Sequence, residues 1–242
     1  MALHFIVPGC TDAAVGELVD LTGAEAKHAS VVRRVRVGES VTLGDGRGVW
    51  LSGVVEDVSA ARVSVRIGAR SRHDAPETRI LLAQALAKGD RDELAVQAAC
   101  ELGADGIIPW QAARSISRWA GPKAVKGRER WASIVREAAK QAHRPWVPEV
   151  AEIESTARLA QRAVGARMLV LDPWTRNRLS TVRPDGRDVI LVVGPEGGIA
   201  PEELELLEGA GAERVRLGDT VLRTSTAGPA AIAVLSGVFG RW

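Results

Sequence analysis

Cysteine and histidine are scarce in this chain, and long apolar runs are missing from it. The two cysteines, Cys10 and Cys100, stand far apart and form no C-x-x-C pair. Two buried thiols in a reducing compartment are therefore expected, not a disulfide. The four histidines, His4, His28, His73 and His143, have no metal-type spacing, so neither a zinc site nor a Ser-His-Asp hydrolase is indicated and no metal is expected. No apolar stretch approaches the roughly 20 residues of a bilayer span. The opening MALHFIVPGC has neither the basic start nor the apolar stretch of a secretion signal. A cytoplasmic protein with no membrane partner is the expectation. Also absent are a G-x-G-x-x-G that opens a helix and the lysine and Ser/Thr that complete a P-loop, which argues against an α/β enzyme using NAD or ATP.

What is present suits a folded chain with a sizeable core. Hydrophobic residues make up 46 % and charged residues 26 % of 242, enough for one large domain or two small ones. The net charge is only +2, but it is unevenly spread: from Arg114 to Arg144 nine basic residues face two acids, a net +7, so the remainder is acidic. Four of the seven tryptophans, Trp110, Trp119, Trp131 and Trp146, lie in or beside this segment. Basic side chains interleaved with flat rings suit a nucleic acid whose bases can stack. The competing reading is a solvated helix face with tryptophans in the core.

Along the chain the texture changes once. The first seventy or so residues alternate β-branched and polar positions between Asp45-Gly46, Gly48 and Ser59-Ala60, which predicts antiparallel hairpins in a compact β-barrel. Gly44-Asp45-Gly46-Arg47-Gly48 imitates a dinucleotide motif, but a strand follows it, so it reads as a turn. AEAKHASVVRRVRVGE adds a second basic patch with Arg33, Arg34 and Arg36. The polar stretch 71–78 reads as a linker. Beyond it, strands are expected at 79–86, 106–109, 168–172, 189–193 and 214–217, and helices at 92–102, 201–207 and 228–240. Trp131, Ile134, Val135 and Ala138 recur at i, i+3, i+4 and i+7, a further amphipathic helix within the basic segment. This alternation predicts an α/β domain with a largely parallel sheet covered on both faces.

Two glycine-bearing loops carry the chemistry. VVGPEGGIAPEE, residues 192–203, is a strand that ends in Gly194, Gly197 and Gly198 and opens into a helix at Pro201. The glycines let a ligand approach the backbone, proline suits the first helical position, and Glu202 and Glu203 occupy the first turn, where phosphate would otherwise be drawn. The ligand is better imagined as neutral or cationic; a tight turn with no ligand is the alternative. LGDTVLRTSTA, residues 217–227, follows another strand and leads into an apolar helix, with Thr226 as its N-cap. Two such loops beyond neighbouring strand ends lie where open α/β sheets bind ligands. The apolar helix must be buried, centrally or, more economically, against a second subunit.

GPEGGIAPEE and LGDTVLRTSTA, together with HASVVRRVRVGE, Lys88-Gly89-Asp90, Glu101-Leu102-Gly103 and EAAKQAHRPWVPEV, resemble the RsmE family over the whole chain. That family comprises ribosomal RNA small-subunit uridine methyltransferases of the SPOUT class. The resemblance implies a PUA-like, RNA-binding β-barrel at 1–72 and a SPOUT methyltransferase domain with a trefoil knot at 76–242. It implies S-adenosyl-L-methionine as cofactor, methylation at N3 of one uridine in 16S rRNA, free or in the small subunit, and a homodimer through the C-terminal domain. The family's cofactor loops map onto Leu171, Gly194, Glu196, Gly197, Gly198, Leu217, Gly218, Leu222, Thr226 and Ala227. Ser225 stands where the family usually has Glu. A cation that stabilises the uridine N3 anion would speed transfer more than a strong base, and Arg223 is expected in that role, with phosphate anchoring as its alternative. No residue presents itself as a general base. Arg33, Arg34, Arg114, Arg130 and Arg144 are the expected RNA contacts. A non-catalytic RNA-binding protein with a degenerate SPOUT domain is the rival reading.

Overall fold

The computed structural model describes residues 2–242 and divides them into two compact units. The first runs to Ala75 and takes in Ala139–Val147; the second comprises Pro76–Ala138 and Pro148–Trp242.

In the first unit the elements are β1 (Leu3–Ile6), β2 (Leu18–Thr22), the short helix α1 (Gly23–Lys27), β3 (Ser40–Gly44), β4 (Val49–Val58) and β5 (Arg62–Arg72). The sheet order is β1-β3-β4-β5-β2, antiparallel throughout except for the parallel β1–β3 pair. Among the described residues β1 and β2 form its two edges. Alternation drives this architecture: along β4, Val49, Leu51, Gly53 and Val55 point into an apolar cluster with Phe5, Leu21, Leu43 and Ile67. The glycine-rich stretch is the β3–β4 turn. Asp45 Oδ1 accepts the Arg47 and Val49 N–H groups at 2.6 and 3.0 Å, and Gly46 and Gly48 take φ of 74° and 100°. Strand β5 extends through Arg72, so the polar stretch starts as strand. Residues 139–147 join this unit through bonds such as Gly48 N–H to Pro145 O and Val147 N–H to Gly46 O, both 3.0 Å.

The second unit contains β6 (Ile80–Ala85), α2 (Arg91–Glu101), β7 (Gly106–Gln111), α3 (Pro122–Gln141), β8 (Glu149–Val150), β9 (Glu154–Ser155), α4 (Thr156–Gln161), β10 (Arg167–Leu171), β11 (Val189–Val193), α5 (Pro201–Gly209), β12 (Glu213–Val215) and α6 (Thr224–Val238). Its sheet runs β12-β10-β11-β6-β7-β8, with β9 also on β7, and every pair is parallel. Strand β11, VILVV, is buried at every position, as a parallel strand covered on both faces must be.

Helix α6 departs from expectation at its start. It begins at Thr224, with Arg223 as N-cap and no side-chain cap, and Thr226 is an exposed first-turn residue. An arginine side chain has no acceptor with which to cap, and Thr224, the first helical residue, directs its hydroxyl to Gly194 O and Gln84. The helix buries Gly228, Ala231, Ile232 and Leu235 within the chain, packing on α2, β6 and β11. Gly228 permits that approach: a β-carbon there would lie 2.9 Å from Leu82 Cδ1. No helix among the described residues is long and apolar enough to cross a membrane. Cys10 and Cys100 are free and buried.

Candidate active site

Strands β10, β11 and β12 are neighbours, and the loops beyond their C-terminal ends surround one cavity of about 580 Å³. Its walls are Leu171 to Trp174, Val193 to Ile199, and Val215 to Ala227 in part, with Arg91 and Arg114 beside the 194–199 turn. Of the ten residues expected to hold a cofactor, all but Thr226 line it; Arg223 and Arg114 do as well. The volume is in the range of small-molecule sites, roughly 300–1,000 Å³.

The two glycine loops are tied together by residues that sequence reasoning overlooked. Thr224 Oγ1 donates to Gly194 O at 2.9 Å and accepts from Gln84 Nε2 at 2.9 Å. Gln84, fully buried on β6, also donates to Ala85 O at 3.1 Å. The signal available was a polar residue inside an otherwise apolar strand, ILLAQA. The 194–199 turn is pinned again from outside. Glu196 Oε1 accepts the Lys88 N–H at 3.2 Å and the Arg91 guanidinium at 3.0 Å, and Arg114 donates to Gly197 O at 3.1 Å. Burial works to raise the Glu196 pKa, but its own N–H, the Lys88 N–H and the Arg91 guanidinium outweigh it and hold the carboxyl below its ordinary range.

Both acids lie in the first turn of α5, as expected, but neither is on the cavity wall. Glu202 is exposed and outside the cavity wall, while Glu203 is buried and turned inward. Its Oε1 accepts the Ala113 N–H at 2.9 Å and the Thr156 hydroxyl at 2.6 Å, and its Oε2 accepts the Ala200 N–H at 3.3 Å. Interior donors left by neighbouring loops claim it, so it serves structure. The carboxylates that do line the cavity are Asp172 and Glu196, and no lysine does. Asp172 is itself held by Arg214 at 3.2 Å. The Arg223 side chain has no hydrogen bond or ion pair among the described residues. Ser225, half-buried as the second residue of α6, presents no carboxylate.

The expected RNA contacts fall in different places. Arg33 and Arg34 are exposed in the first unit, Arg34 with a positive φ of 54°. Arg144 lies with the same unit and is half-buried. Arg130, on α3, places its guanidinium on the Glu93 carboxylate. Of the tryptophans of the basic segment, Trp110 and Trp131 are fully buried in the core, whereas Trp119 and Trp146 are half-buried. Trp119 lies edge-on to Trp131 at 5.0 Å, over Gly127, whose missing side chain makes the room. Trp146 donates to His73 O at 3.0 Å. Trp110 and Trp131 are thus unavailable for base stacking; packing took them because a large indole repays burial.

Two family models match the chain, an RNA methyltransferase domain over residues 74–236 and an RNA methyltransferase PUA domain over 21–68. Fold and cavity together define a SPOUT-class RNA methyltransferase carrying an N-terminal PUA-like domain. The ribosomal RNA small subunit methyltransferase E of Mycobacterium tuberculosis is 42 % identical, with 100 % of this chain and 94 % of that protein aligned. Its Bacillus subtilis counterpart is 32 % identical over 89 % and 88 % of the two chains. The Neisseria gonorrhoeae methyltransferase E, solved bound to S-adenosyl methionine, superposes with a TM-score of 0.89 at 30 % identity, covering 99 % of this chain and 98 % of that one. This chain belongs to the ribosomal RNA small subunit methyltransferase E family.

Proposed function

We propose that the protein transfers a methyl group from S-adenosyl-L-methionine to N3 of one uridine in 16S rRNA of the small ribosomal subunit. The observation that carries this reading is the cavity at three adjacent strand ends, built from the two glycine loops. Its residues fit the cofactor. Leu171, Val193, Leu217 and Leu222 offer apolar walls to an adenine, and a β-carbon at Gly218 would meet no protein atom within 4 Å, leaving that space to a ligand. No lysine stands ready for a phosphate. Support also comes from the Neisseria gonorrhoeae and Legionella pneumophila relatives, each solved with this cofactor.

The bound cofactor supplies a methyl group activated on a sulfonium. The protein's remaining task is to hold the acceptor in line and favour its deprotonated form. Arg223, unpaired on the cavity wall, would stabilise negative charge developing on the uracil imide. Within the same reading, the first 72 residues contact RNA, with Arg33 and Arg34 as phosphate ligands, and residues 76–242 form the methyltransferase domain. That domain contains the trefoil knot and mediates a homodimer in the cytoplasm.

Mass spectrometry of 16S rRNA from a strain lacking the protein tests the reading: one N3-methyluridine should disappear and return on complementation. An unchanged methylation pattern would refute it. Heat on titrating S-adenosylmethionine separates an active enzyme from a degenerate RNA-binding relative. An Arg223→Ala variant should lose about 10²-fold or more in kcat with little change in cofactor affinity, if the guanidinium acts as an oxyanion-type donor.

A further inference from the structure

Two tryptophans are exposed, Trp174 and Trp242, and the first of them belongs to the cavity wall. Trp174 is 84 % exposed, yet it lines the cavity. An indole left in water forfeits one of the largest burial gains available to a side chain. The turn that carries it is firmly tied. Buried Asp172 accepts the Trp174 N–H at 3.0 Å with one oxygen and the Arg214 guanidinium at 3.2 Å with the other. Asn177 O accepts the Arg216 N–H at 2.8 Å, and Asn177 Nδ2 donates to Arg214 O at 3.3 Å, fastening the turn's far end beside β12. The indole is therefore presented on an ordered support.

Its surroundings select the occupant. On the wall of the same cavity, Val221 is exposed, Arg223 has no partner among the described residues, and Arg114 gives its guanidinium only to a carbonyl. An apolar ring face and guanidiniums that no carboxylate answers, lining one cavity, complement a group both flat and anionic. A base of single-stranded RNA with its phosphate has that character, because unstacked bases are held by aromatic faces and their backbone by arginine. A purely apolar protein surface would leave the guanidiniums without partners.

We infer that Trp174 is the stacking platform for an unpaired RNA base brought to the mouth of the cavity, and so a substrate-binding residue. This rests on the proposed methyltransferase reading. Trp174→Ala and Trp174→Phe variants test it through KM for small ribosomal subunits, calorimetric affinity for S-adenosylmethionine, and molecular mass by sedimentation. The alanine variant should raise KM about tenfold, the phenylalanine variant should restore most of that, and cofactor affinity and mass should stay at wild-type values. An unchanged KM, or a phenylalanine variant as impaired as alanine, overturns the inference. Lost cofactor affinity would assign the indole to the cofactor, and a changed mass would assign it to self-association; either also overturns it. If the wild-type protein methylates no rRNA, the proposed function fails instead. Anisotropy with a short single-stranded RNA then decides the inference, with equal binding by wild type and Trp174→Ala counting against it.

Discussion

Glu203 sits in the first turn of α5, where a carboxylate normally faces the helix dipole and water, but three interior donors hold it in place. Removing it orphans the buried Ala200 N–H and takes the acceptor from the partly buried Ala113 N–H and Thr156 hydroxyl, and each buried orphaned group costs about 1–3 kcal/mol. Glu203→Ala should therefore lower unfolding free energy by about 3 kcal/mol, read from the urea midpoint; a shift within error would mean that water replaces the carboxylate. His4 makes a second residue-scale case. It stacks on Trp50 at 4.2 Å and shares a 3.0 Å hydrogen bond with Thr42. Burial, with His143 and Lys140 adding positive charge, lowers its pKa to about 4. In the unfolded chain a histidine titrates near 6.5. Between those values the unfolded chain takes up a proton that the folded chain refuses, so stability rises with pH there and its full contribution is present above about 6.5. Lowering pH from 6.5 to 4 should remove up to about 3 kcal/mol from the first unit. His4→Phe keeps a ring against Trp50 and removes the titration. Its urea midpoint should fall less between pH 7 and 4.5 than the wild type's, and parallel curves would contradict the assignment.

At the scale of elements, the cavity depends on how the start of α6 is fastened to the end of β11. Thr224→Val keeps the shape but takes the donor from Gly194 O and the acceptor from Gln84. The expected result is a loss of about 1–2 kcal/mol in stability, with a severalfold weaker S-adenosylmethionine affinity by calorimetry. Thr224→Ser should recover both, and an unaltered affinity in the valine variant would show that the tie does not shape the cavity. This tie also marks where sequence reading stops. Strand β11 was legible to its last residue, because a β-branched run closed by glycine has one local meaning. The β3–β4 turn was legible for the same reason, as its carboxylate accepts the Arg47 and Val49 N–H groups within five residues and its glycines supply the positive φ. Helix α6 was placed four residues too late, since Thr224's partners lie on β6 and β11, far away in sequence. Strands β8 and β9, two residues each, have no periodicity to read and exist only through pairing with β7. Both glycine loops announced the cavity, and Thr224 lies within the second, whereas Gln84 and Trp174 belong to no motif.

For the whole molecule, the decisive quantity is how much of the local +7 remains available once the chain is folded. Acids from outside the basic segment answer part of it. Glu93 takes Arg130, Glu152 lies 3.3 Å from Arg128, and Glu25 lies 3.2 Å from buried Lys140. Counting cations along the sequence therefore overstates the phosphates that the protein can neutralise. Each phosphate contact releases condensed counterions and steepens the fall of log affinity with log salt, by roughly 0.7 per contact for single strands and 0.9 for duplex. Exposed Arg33 and Arg34 should each contribute such a step, whereas Arg130 must first leave Glu93. Arg33→Ala should thus reduce the salt slope for 16S rRNA binding by about 1, with affinity lower at every salt concentration, and Arg34→Ala should do the same. Arg130→Ala should leave the slope nearly unchanged. The measurement is a filter-binding or anisotropy series at several salt concentrations. A larger loss of slope from Arg130 than from Arg33 would move the RNA track from the first unit to α3 and require the Glu93 pair to open on binding.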